Sequence, residues 1–156
     1  MLELNIPNYA ALQIDNLVCD FNGTLAVDGA LLPGVREALN GTAQKVAVHV
    51  VTADTFGQAR QQLEGIDCTL TVLPEGNQAV AKQKLIQELG AERTIAVGNG
   101  RNDRLMLAEA AVGIAVLLEE GAACQTILEA DVLVTSIDSA FAFFEKPRRL
   151  VATLRA

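Results

Sequence analysis

Six short apolar runs punctuate this chain: Leu17 to Cys19, Val46 to Val51, Leu70 to Leu73, Thr94 to Val97, Gly113 to Val116 and Val132 to Val134. Helix-like segments stand between most of them, at about 34 to 42, 55 to 64, 77 to 89, 102 to 110 and 120 to 129. Strands alternating with helices predict an α/β fold built on a parallel sheet. Apolar residues make up 51% of the chain and aromatic residues only 4%, so Val, Ile, Leu and Ala must build the core, which suits strands covered on both faces. Ahead of the sheet, residues 2 to 6 and 12 to 14 alternate around a break at Pro7-Asn8, which predicts a short hairpin. From about Ser136 to Arg155 the pattern reads as one helix broken near Pro147, or as two in succession. With 156 residues and no repeat or linker, residues 1–156 read as one domain.

Three of these runs end in residues suited to phosphoryl chemistry. Asp20 closes the first and leads into Phe21-Asn22-Gly23-Thr24; Thr52 closes the second. The run at 94 to 97 enters the loop Gly98-Asn99-Gly100-Arg101-Asn102-Asp103, and Lys82 and Lys84 lie near the start of the helix before it. Open α/β sheets bind ligands in the crevice beyond the carboxyl ends of their strands. A carboxylate placed there is a candidate nucleophile, and a hydroxyl and an ammonium can stabilise phosphoryl oxygens. Each residue also has a plainer reading. Asp20 could be a turn residue, Thr52 a cap for a helix at Thr55-Phe56, Lys82 part of a solvated helix face, and Asp103 a favourable charge at a helix start.

The order Asp, Thr, Lys, Asp over roughly residues 15 to 135 resembles the haloacid dehalogenase-like (HAD) superfamily. Asp20 to Thr24 stands where that family has D-x-D-G-T or D-K-T-G-T, Val50-Val51-Thr52 where a strand ends in Thr or Ser, and Gly98 to Asp103 where it has G-D-G-x-N-D. Val-Thr-Ala-Asp at 51 to 54 and Asn102-Asp103 also look like segments of P-type ATPases, so the likeness is greatest to soluble relatives of their phosphorylation domain. The resemblance implies a Rossmann-like sheet with helices on both faces. One helix and its flanking loops fill each interval between motifs, leaving no room for a cap or for the ATPases' inserted nucleotide domain. It further implies Asp20 as nucleophile of an aspartyl phosphate, with Asn22, Thr52 and Lys82 as its catalytic companions. Gly23, Thr52, Ala53 and Lys82 would contact phosphate, and Asp20, the Asn22 backbone carbonyl, Asn99 and Asp103 would hold Mg²⁺. Lys82 is preferred because Leu85 and Ile86 repeat the apolar spacing that follows the family lysine; Lys84 is the alternate.

Two positions depart from the pattern: Asn22 and Asn99 stand where the family has acids. In the family's phosphatases the acid at the first position protonates the leaving group and activates water. An amide does neither near neutral pH, and losing a positioned general acid or base costs about 10²–10⁴-fold in rate. Asn99 in place of a carboxylate implies weaker Mg²⁺ binding. The expectation is a slow phosphatase acting on a phosphorylated substrate, or else a catalytically impaired binding or regulatory subunit.

A formal charge of −7 argues against general nucleic-acid binding. No apolar run approaches the roughly 20 residues of a membrane helix, and the start lacks a basic segment before an apolar core, so a cytoplasmic location and no membrane partner are expected. Positive mean hydropathy points to surface hidden in a homo-oligomer. Cys19, Cys68 and Cys124 show no metal or disulfide spacing and read as buried thiols. His49 reads as a core or edge residue, and Phe141, Phe143 and Phe144 as core, with a subunit contact as the alternative.

Overall fold

The computed structural model describes residues 1–54 and 57–156. The hairpin forms as expected: β1 (Leu2–Ile6) pairs antiparallel with β2 (Ala10–Ile14), and Asn8 takes φ 58° in the turn. β3 (Asn16–Asp20) leads into a second, very small hairpin of β4 (Ala26–Val27) and β5 (Ala30–Leu31). β6 (Ala47–Thr52), β7 (Thr69–Val72), β8 (Thr94–Gly98), β9 (Val112–Val116) and β10 (Val132–Val134) complete a parallel sheet in the order β10-β9-β8-β3-β6-β7. The helices between and after them are α1 (Val35–Ala43), α2 (Gln58–Gln62), α3 (Gln78–Leu89), α4 (Arg104–Glu109), α5 (Cys124–Glu129), α6 (Ile137–Glu145) and α7 (Arg148–Leu154).

The period of two along each strand divides the interior into two cores. Leu17 and Cys19 of β3, with Ile95 and Val97 of β8, join the first core, which α1, α6, α7 and the N-terminal hairpin cover. Val18 and Ala96 join the second, closed by Ile86 of α3 and by Met106 and Leu107 of α4. Phe141, Phe143 and Phe144 are all buried in the first core, so they are packing residues. The chain winds from β3 to β6 and β7, then returns to the other side of β3 for β8, β9 and β10. Its direction reverses between β3 and β8, the switch point where open α/β sheets form their crevice.

Several sequence expectations need correction. The segment expected to be helical from about 120 begins only at Cys124, because Gly121 adopts φ 79° and breaks the helical backbone. The β4–β5 hairpin is too short to leave a hydrophobic pattern, although its Asp28-Gly29 turn, with both residues at positive φ, is a strong local hairpin signal. Only Cys19 is a buried thiol; Cys68 is half-buried and Cys124 exposed. His49 lies on β6 between β3 and β7, so it is not at an edge, and burial lowers its pKa. The expected cap before Thr55-Phe56, and the first residues of the helix expected at 55 to 64, fall outside the described residues. As expected, the terminal segment divides at Pro147, whose ring fixes φ and removes a donor, into α6 and α7. Among the described residues no helix is long and apolar enough to cross a membrane.

Close approach of α4 to the sheet depends on Gly113 in β9, where an added Cβ would lie 2.3 Å from the main-chain oxygen of Leu107. Backbone cannot swing aside as a side chain does, so Gly113→Ala should destabilise the fold by about 1–3 kcal/mol, the usual cost of overpacking. Urea denaturation checks this, and a variant as stable as the parent would contradict the packing described.

Candidate active site

Three strands deliver their last residues to one end of the sheet. Asp20 ends β3, Thr52 ends the neighbouring β6, and Gly98 ends β8 on the other side, opening the loop that carries Asp103. α3 contributes Lys82 from its second turn. The Lys82 Nζ donates to Asp20 Oδ1 and to Asp103 Oδ1, each at 2.6 Å, and all three side chains are buried. Lys84, two residues on, is exposed and faces Glu88 at 3.9 Å. Asp103 curls back beneath its own loop, its Oδ2 accepting from the backbone N–H groups of Asn99 and Gly100 at 2.9 Å each. Gly98 makes room for this, because a Cβ there would sit 2.5 Å from Asp103 Cγ.

Two carboxylates share one ammonium, which leaves an excess negative charge in a dry site. Burial first, and the Asp103 charge second, push the Asp20 carboxyl up to about 7, against the pull of Lys82 and a hydrogen bond from the Phe21 backbone. Burial alone would lower the Lys82 pKa, but Asp20 and Asp103 outweigh it and the net shift is upward. The cluster therefore holds Lys82 in its charged form while it resists ionisation of Asp20.

The remaining expected site residues have distinct positions. Thr52 is buried and its Oγ1 accepts from the backbone N–H of Asp54 at 3.1 Å; Asp54 in turn accepts from the N–H of Ala59 at 2.7 Å, in the first turn of α2. Ala53 lies between Thr52 and Asp54 in this loop. Asn22 is exposed, while Gly23 adopts φ 78° and donates its N–H to Ala26 O at 2.7 Å, turning the chain directly after Asp20. Asn99, also among the expected metal ligands, is buried with both side-chain polar atoms engaged. Its Oδ1 accepts from Thr24 Oγ1 at 3.2 Å and its Nδ2 donates to Gly121 O at 3.0 Å. A neutral amide can brace two loops in this way because it both donates and accepts, which a carboxylate cannot. That brace left no sequence signal beyond the Asn residue itself; a second runs from Asn102 Nδ2 to Gln78 Oε1 at 2.8 Å.

Solved structures share this fold. The 3-deoxy-D-manno-octulosonate 8-phosphate phosphatase from Moraxella catarrhalis, in complex with magnesium, phosphate and its KDO molecule, superposes with a TM-score of 0.71 at 15% identity, covering 91% of this chain and 94% of that one. The cobalt-bound deoxy-D-mannose-octulosonate 8-phosphate phosphatase from Haemophilus influenzae gives 0.67 at 14% identity, covering 92% and 94%. A phosphoserine phosphatase in apo form gives 0.68 at 13% identity, covering 84% and 99%. The chain has the haloacid dehalogenase-like fold, without a cap. In this HAD fold the interval between Asp20 and α1, where a cap would branch, holds only the β4–β5 hairpin. By sequence, the chain is 42% identical over 84 residues to the uncharacterized protein MJ0073 of Methanocaldococcus jannaschii, spanning 90% of that protein and 51% of this chain, and it belongs to one family with it. No protein-family model matches the chain.

Whether these residues suit a divalent cation can be judged from their donors. Among the described residues no group of three His, Cys, Asp or Glu side chains gathers as a metal site. Two carboxylates with an uncompensated charge are nevertheless enough for an ion such as Mg²⁺, which usually takes one or two carboxylates and completes its shell with water and substrate phosphate. Asp20 and Asp103 fit that lean arrangement.

The raised Asp20 pKa has a consequence for stability. Between its ordinary value of 3.8 and about 7 the folded chain holds a proton that the unfolded chain has released. Asp20 therefore contributes stability below pH 3.8 that is lost as pH rises to about 7. Urea denaturation across this window should show a smaller decline for Asp20→Asn, and above pH 7 the variant should be at least as stable as the parent. A variant markedly less stable at pH 8 would contradict the excess-charge description.

Proposed function

We propose that this chain is a phosphatase-like domain that transfers phosphoryl groups to Asp20 and releases them slowly. One observation carries the reading: a buried carboxylate at the end of the central strand, 2.6 Å from an ammonium that a second buried carboxylate also holds. Fold likeness to proteins named as phosphatases supports the same class of chemistry. In the first step an Asp20 oxygen forms a bond to phosphorus while the bond from phosphorus to the leaving oxygen breaks, its electron pair departing with that oxygen. Lys82 and Thr52 stabilise the charge on the phosphoryl oxygens, the main burden of such a transition state. Gly23 and Ala53 bring backbone close to the same oxygens. A divalent cation, Mg²⁺ in this reading, held by Asp20, Asp103 and the Asn22 backbone carbonyl, supplies further positive charge when bound.

Asn22 sets the limits. Its amide gives no proton to the leaving oxygen, so substrates whose leaving group is stable as an anion, acyl and aryl phosphates, are favoured. It takes no proton from water either, so the aspartyl phosphate persists. Incubation with acetyl phosphate and Mg²⁺ should leave a phosphoryl adduct that peptide mass spectrometry places on Asp20 and that Asp20→Asn abolishes. Asn22→Asp should raise aryl phosphate turnover by about 10²–10⁴-fold, the usual contribution of a positioned acid or base. A second reading, a non-catalytic domain that binds phosphate, draws on the engagement of Asn99 with Thr24 and Gly121. Absence of the adduct, with no gain in Asn22→Asp, would select it.

A further inference from the structure

Beside the buried carboxylates the surface changes sign. Arg101 and Arg104 line an open cleft of about 460 Å³ together with Asn77, Gln78 and Asn102, and no acid contributes to its walls. Neither arginine has a hydrogen bond or ion pair from its side chain to any described residue, whereas Arg93 holds Asp15 and Arg36 holds the Gln62 and Glu64 carbonyls. Two free guanidinium groups around one acid-free cleft, in a chain of formal charge −7, form a local positive field.

The cleft's position connects it to the site. Two of its lining residues, Gln78 and Asn102, are hydrogen-bonded to each other. Gln78 precedes Lys82 by one turn of α3, and Asn102 is adjacent to Asp103, so this bridge is the next layer outward from the Asp20–Lys82–Asp103 cluster. The cleft and the cluster thus draw on the same two segments, the first turns of α3 and the loop after β8.

We propose that the Arg101–Arg104 cleft receives a second anionic group, phosphate or carboxylate, on the same molecule whose phosphoryl group meets Asp20. Guanidinium suits that task because it presents paired donors to a carboxylate or phosphate. The inference rests on the reading of Asp20 as the phosphoryl site and narrows it: the substrates are small bis-anions rather than phosphate esters of neutral alcohols.

Calorimetry with three non-hydrolysable probes at fixed ionic strength separates the two claims. Methylphosphonate reports the Asp20 site alone; 3-phosphonopropionate adds a carboxylate and propane-1,3-bisphosphonate a second phosphonate. The two bis-anions should bind the parent roughly tenfold more tightly than methylphosphonate, about 1.4 kcal/mol, and the tighter of them identifies the second group. In Arg101→Ala/Arg104→Ala that advantage should shrink to within about twofold while methylphosphonate binding is unchanged, and Arg101→Lys/Arg104→Lys should keep part of it. Thermal melting shows whether the variants remain folded. No advantage in the parent, an advantage that survives in the alanine variant, or no binding of any probe would overturn the proposal. Arginine-dependent binding of the bis-anions without any binding of methylphosphonate would uphold the cleft and remove the Asp20 reading instead.

Discussion

Everything at the carboxyl end of this sheet is arranged around one buried ammonium. Lys82 is 1% exposed and sits between Asp20 and Asp103, two acids that could not otherwise share a dry pocket. Removing that ammonium would leave buried acids without compensation, a loss that commonly costs about 3–5 kcal/mol. The cluster also ties together elements far apart in sequence: the end of β3, the second turn of α3 and the loop after β8. The charge that fixes these elements is the same charge that would meet a phosphoryl group.

Glycines and amides make that cluster geometrically possible. Gly98 lets Asp103 fold back under the loop, and Gly23 turns the chain after Asp20 at a φ that other residues rarely adopt. A Cβ on Gly23 would come within 2.3 Å of Asn99 Nδ2, so the Asn99 amide lies directly against this turn. From there it links Thr24 to Gly121. Both Asn-Gly pairs of the site have their glycine N–H engaged, by Ala26 O in one and Asp103 Oδ2 in the other. The two asparagines thus differ in kind. Asn22 is exposed beside the nucleophile candidate, while Asn99 is a buried brace.

Much of this was legible in the sequence because it depends on hydrophobic period and on residues at strand ends. The six strands of the main sheet and the hairpin announce themselves by apolar runs and alternation, and Asp20, Thr52 and Asp103 follow from where those runs stop. In the sequence Lys82 is preferred to Lys84 only on the apolar spacing of Leu85 and Ile86, since both lysines stand on the same helix. The structure separates them by rotation: Lys82 faces the sheet and Lys84 faces solvent. What escaped sequence reading rests on contacts without periodicity. The role of Asn99 depends on loops brought together only by the fold, and the late start of α5 depends on one φ angle at Gly121.

The shared-ammonium arrangement is tested most directly by titrating the aspartate side-chain carboxyls of the intact chain by carbon-detected NMR, in the parent and in Lys82→Met. Asp20 should titrate near 7 in the parent and higher in the variant, where burial and Asp103 act without an opposing cation. An Asp20 that titrates in the ordinary carboxylate range, and does not respond to loss of Lys82, would contradict the arrangement from which the proposed chemistry follows.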